Sequence, residues 1–157
     1  MSVKSQEINM RRLAGLLSQA LSYIGGEREC GPNGAKKTFL NLGKVFLRAL
    51  SKDLGLRDAR ITSNPGGIAV SGDCTLIGMW ENSGIYINLS QFCCGKNVLL
   101  YRTVRHTRDY TGGRNQFLTA DDLRKLSYPA LLEQFRALRK EDGIHERYSR
   151  GRHGQAA

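Results

Sequence analysis

A chain of 157 residues with 40% hydrophobic and 24% charged residues has the size and composition of one domain with a buried core. No stretch approaches the roughly 18 consecutive apolar residues of a membrane-spanning helix, and residues 1–12 lack the basic head and apolar centre of a secretory leader, so a cytoplasmic protein is expected. Twenty-four Lys and Arg against fourteen Asp and Glu give a formal net charge of +10, which favours a polyanionic partner such as DNA, RNA or an acidic protein surface.

Glu7 to Ile24 carries Met10, Leu13, Leu17, Leu21 and Ile24 at helical spacing and predicts a first amphipathic helix, stopped by Gly25-Gly26. After the loop at Gly31-Pro32-Asn33-Gly34, Thr38 is placed to cap a second helix to about Leu54. Its apolar face is Phe39, Leu42, Phe46, Leu50 and Leu54, and Gly55 ends it. From Asp58 the period changes from helix to strand. Ala59–Ser63, Ile68–Val70, Thr75–Trp80 and Ile85–Leu89 are short runs separated by turn clusters, the pattern of an antiparallel meander. In the last of them Ile85, Ile87 and Leu89 alternate with Tyr86, Asn88 and Ser90, which predicts one buried and one wet face.

Val98–His106 reads as a fifth strand that turns basic as it leaves the core, and Thr111-Gly112-Gly113 predicts a tight turn before Gln116-Phe117-Leu118. Thr119 then caps a short helical turn, with Asp121 and Asp122 suited to the helix dipole. Ser127 caps a last helix with Pro129 in its first turn and Leu131, Leu132, Phe135 and Leu138 on its apolar face. Residues 1–142 therefore read as one α+β domain: two N-terminal helices, an antiparallel sheet of about five strands, and one or two C-terminal helices. Residues 143–157 form a basic tail without a hydrophobic anchor, expected to be disordered.

The chemistry-bearing residues do not assemble into a catalytic motif. Cys30, Cys74, Cys93 and Cys94 include no CxxC pair. Together with His106 they are the weak candidates for a structural zinc site, whereas buried free thiols are the simpler expectation. Of the histidines, 106, 145 and 153, two fall in the tail. Gly112-Gly113 lacks the lysine and hydroxyl of a phosphate-binding loop. The chain is therefore expected to be non-enzymatic and to need no cofactor.

Tyr101 to Arg114 stands apart from the rest of the chain. Arg102, Arg105, Arg108 and Arg114 are interleaved there with Tyr101, Tyr110 and His106, against one acid, Asp109. Arginine forks hold phosphates or carboxylates, and tyrosines among them stack on bases or anchor interfaces. These seven residues are the candidate partner-binding set; the plainer alternative is a charged edge strand protected from aggregation.

The runs Met79–Ser90, Leu100–His106 and Asp109–Asn115 resemble small orphan proteins carried by bacterial phages and plasmids, over about residues 68–120. Proteins of that kind include anti-CRISPR inhibitors, which commonly act by binding. The resemblance implies an inhibitor of a host defence effector such as a CRISPR nuclease, working in the cytoplasm of a bacterial host cell. A net positive chain does not imitate DNA, so it would meet an acidic protein patch, guide RNA or target DNA. The other expectation is a nucleic-acid-binding accessory or regulatory protein.

Overall fold

The structure is a computed structural model that describes residues 2–19, 34–66, 72–92 and 96–141. Its elements run α1 (Val3–Leu17), α2 (Ala35–Asp53), β1 (Arg57–Asn64), β2 (Asp73–Met79), β3 (Gly84–Phe92), β4 (Asn97–Val104), β5 (Gln116–Thr119), α3 (Ala120–Lys125) and α4 (Tyr128–Arg136), closed by a 3-10 helix, Ala137–Glu141. The expected α+β architecture is what forms. The five strands pair antiparallel in chain order, β1-β2-β3-β4-β5.

Local chemistry explains most of the boundaries. Ser2 caps α1 by accepting the Ser5 N–H, so the helix starts before Glu7, and it ends at Leu17 rather than Ile24. The α2 helix starts at Ala35 behind a left-handed Gly34, which places Thr38 inside the helix instead of at its cap. Gly55, at φ +67°, ends α2 as expected. The Gly55 N–H reaches Lys52 O and the Leu56 N–H reaches Ser51 O, the paired bonds of a Schellman stop. A reciprocal Thr119–Asp122 capping box starts α3, and Ser127 caps α4.

The meander differs from the expected one in membership. The Ile68–Val70 run lies outside the described residues, and the fifth strand is Gln116–Thr119, read from sequence only as an apolar return. The strand expected over Val98–His106 ends at Val104.

Register sorts the strand residues onto two faces. Cys74, Leu76 and Gly78 of β2 lie opposite Leu89, Ile87 and Ile85 of β3, and these opposite Leu99, Tyr101 and Thr103 of β4. That face takes all the helices. The Cys74 Sγ–H reaches Leu40 O, the Trp80 indole N–H donates to Leu54 O, and Tyr101 meets Phe135 edge-to-face at 5.0 Å. Among the described residues the opposite face carries no helix. Across it, Arg60, Ile77, Tyr86 and Arg102 form one row and Thr62, Thr75, Asn88, Leu100 and Phe117 the next.

Helix and sheet meet most closely at Gly43, where an added Cβ would come within 2.7 Å of the Cys74 Sγ. At Gly15, in α1, an added Cβ would meet nothing within 4 Å. Both glycines forgo the same helix propensity, about 1 kcal/mol relative to alanine. Gly15→Ala should therefore raise stability by up to about 1 kcal/mol. Gly43→Ala should instead lower it by about 1–3 kcal/mol through overpacking. Urea denaturation of the two variants checks the pair, and equal shifts would contradict the close packing of α2 on the sheet.

Candidate functional site

The chain after β4 turns back over the helix-free face, and one carboxylate organises it. Asp109 is buried, 3% exposed. Its Oδ2 accepts the Arg105 backbone N–H at 2.9 Å and the Arg105 Nε–H at 3.2 Å, and its Oδ1 accepts the Thr111 N–H at 3.1 Å. The Arg105 N–H thus bonds a side chain, and the strand stops one residue earlier. Burial pushes the Asp109 carboxyl up, but the bonds from Arg105 and Thr111 outweigh it and hold its pKa below the usual carboxylate range.

Arg102 lies beneath this loop. Its Nη2–H donates to Asp109 O at 2.9 Å, and its guanidinium carbon stands 4.8 Å from the centre of the Tyr86 ring. The residue is 9% exposed, and its Nη1 is buried without a hydrogen-bond partner. Neither described ion pair involves it. Arg102 is therefore a buried cation met by a carbonyl and an aromatic ring instead of a carboxylate. Gly112 permits the covering, because a Cβ there would fall 2.6 Å from Arg102 Nη1 and 2.6 Å from Thr103 O.

Loop and sheet enclose a pocket of about 200 Å³. Arg60, Thr62, Thr75, Ile77, Tyr86 and Arg102 contribute from the sheet, and Thr107, Asp109 and Tyr110 from the loop. The Thr62 and Thr75 hydroxyls bond each other across β1 and β2. Tyr110 stands over the pocket with 85% of its surface exposed.

The structure divides the sequence-predicted set. Tyr101 is not on the surface; it is 3% exposed on the helix side, because its register partner is Ile87. Arg102 lines the pocket from beneath, and Arg105 is spent on Asp109. His106 is exposed, and its Nδ1 accepts the Arg108 N–H. Tyr110, Arg108 and Arg114 are exposed. The residues that sequence reasoning missed are Arg60, Thr62, Thr75 and Tyr86, which the register of β1 to β3 brings to the pocket. Of these, only Tyr86 has a local signal, the alternation in β3 that sets it on the face opposite Ile85 and Ile87.

Cys74 and His106 do not converge. Cys74 lies level with Leu89, while His106 follows Val104, which pairs with Gly84 at the other end of β3. Five residues of strand at about 3.3 Å each separate those levels by about 17 Å. Cys74 is also buried on the helix side, where burial and then Asp73 push its thiol up to about 12, far from a reactive thiolate. Cys30, Cys93 and Cys94 lie outside the described residues, as does the tail over 143–157. Among the described residues no group of three or more His, Cys, Asp and Glu is placed to share a metal.

No family model, curated protein or solved structure matches the chain.

Because the folded pKa of Asp109 is depressed, its contribution to stability is present above the unfolded value, near 3.9, and is lost as pH falls through the folded value. Asp109→Asn should destabilise the protein near neutral pH by about 1–3 kcal/mol, and the gap to the parent should narrow as pH drops below about 4. Denaturant midpoints measured across that range test this; a gap constant with pH would show that the carboxylate charge is not what holds the loop.

Proposed function

We propose that the protein acts by binding rather than catalysis, as an inhibitor of a host defence nuclease of the CRISPR type. On this reading it docks the helix-free face of its sheet on an acidic patch of the effector, or on the nucleic acid the effector carries. The observation that carries the proposal is the unequal use of cations. Arg11 caps the end of α3 through Leu123 O and Leu126 O, Arg57 holds Trp80 O and Glu81 O, Arg136 holds Asp53 O, and Arg139 lies over Trp80. These arginines serve the fold. Arg60, Arg108 and Arg114 are exposed, and their guanidinium groups have no hydrogen bond or ion pair among the described residues. They belong to the open face and to the loop that carries Tyr110. Exposed arginines around an aromatic anchor suit recognition of an anionic surface. The resemblance to mobile-element proteins supports a defence effector as the owner of that surface.

A nucleic-acid-binding accessory role is the second reading, favoured by Tyr110 and by Phe117, which is 46% exposed on the helix-free face. Aromatic rings beside arginines on an open sheet are a stacking platform for unpaired bases. It predicts binding by the isolated protein, with affinity falling steeply as salt rises.

Capture from a host lysate, with and without nuclease digestion, separates the two readings. Charge reversal of Arg60, Arg108 and Arg114 together should weaken capture on the order of tenfold or more, with the circular dichroism spectrum and thermal midpoint near those of the parent. Undiminished capture by the folded triple variant would sink the assignment of this face.

A further inference from the structure

We propose that the pocket beneath Tyr110 is a phosphate site that receives one nucleotide unit, its phosphate between Arg60 and Arg102 and its base on the Tyr110 ring. This rests on the reading of the helix-free face as the docking surface, and adds to it the chemical group that is bound.

The pocket wall is rich in donors. Arg60 brings a guanidinium that no carboxylate among the described residues holds, and Thr62 and Thr75 bring two hydroxyls that share one hydrogen bond, leaving one of their protons for another acceptor. The Tyr86 hydroxyl oxygen accepts from Asn88 Nδ2, so its own proton can be donated. The acid in the wall, Asp109, is already turned to Arg105 and the Thr111 amide. Several converging donors match the terminal oxygens of a phosphate better than the two oxygens of a carboxylate.

Arg102 supplies the field. A guanidinium that is 9% exposed and unmatched by a carboxylate acts through a medium of lower dielectric than water, so it attracts an anion in the pocket more strongly than a surface lysine would. The Tyr86 ring lies against that guanidinium and fixes where the charge sits. Tyr110, 85% exposed above the opening, offers an aromatic face at low cost in conformational entropy. A volume of about 200 Å³ admits one such unit and no duplex, which makes a free nucleotide or an unpaired strand the source of the phosphate.

Calorimetric titration with adenosine, adenosine monophosphate and a short single-stranded oligonucleotide tests the site on the full chain. The nucleoside monophosphate should bind and the nucleoside should not; tighter binding of the oligonucleotide identifies a strand as the source, and equal binding a free nucleotide. Arg60→Gln should weaken the monophosphate on the order of tenfold. Tyr110→Ala should weaken oligonucleotide and monophosphate alike. Both residues are exposed, so their variants should keep the parent's thermal midpoint, and Arg102→Lys, which retains the charge, should keep more affinity than Arg102→Met if both fold. Absence of binding by either phosphate probe at low salt, or full affinity in Arg60→Gln and Tyr110→Ala, would overturn the site. A chain that still captures a host effector while binding neither phosphate probe would overturn this inference and leave the docking reading in place.

Discussion

The Asp109 carboxylate, buried beside the end of β4, holds together the part of the molecule that distinguishes it from a plain helix-covered sheet. By accepting the Arg105 amide it takes that residue out of the ladder, and by accepting the Thr111 amide it closes the turn. Its own carbonyl meets Arg102, so the same residue ends the strand, folds the loop and satisfies one nitrogen of a buried cation. Gly112 completes the arrangement, since a side chain there would collide with Arg102 and Thr103. Pocket, overhanging tyrosine and buried guanidinium all depend on this one turn.

The sheet provides the platform because its two faces are chemically unlike. Leu76, Ile85, Ile87, Leu89 and Leu99 point to the helices and are fully buried, while Thr75, Tyr86, Asn88 and Arg102 carry a hydroxyl, a ring, an amide and a guanidinium to the other side. Net charge is a poor guide to how that side is used. Several arginines close helix ends or cover Trp80, where a carbonyl or ring needs a long donor. A positive total of +10 thus mixes cations that serve the fold with exposed ones left to a partner, Arg12 and Arg48 among them as well as Arg60, Arg108 and Arg114.

What the sequence disclosed follows the range of the interactions involved. Caps and stops act within a few residues, so Gly55, Thr119 and Ser127 were legible as written. The alternation of Ile85 to Leu89 is equally local, and it predicted which residues of β3 share a face, although Asn88 on the expected wet face is itself buried and Tyr86 and Ser90 are half-buried. Thr38 misled because a hydroxyl can cap a helix, while the chain enters α2 through the left-handed Gly34. Tyr101 and the arginines near it read as one surface because they are neighbours in sequence. Pairing of β4 with β3 sends Tyr101 to the core and Arg102 beneath the loop. The row from Arg60 to Arg102 joins four strands and requires three registers at once, and no local pattern encodes that.

Amide chemical-shift mapping with a short single-stranded oligonucleotide locates the surface at which the protein, as we propose, meets an anionic partner. The account predicts that the perturbed amides cluster at Arg60–Thr62, Thr75–Ile77, Tyr86 and Thr107–Gly113. Perturbations centred on Lys44, Arg48 and Lys52 of α2, with the helix-free face unchanged, would contradict it.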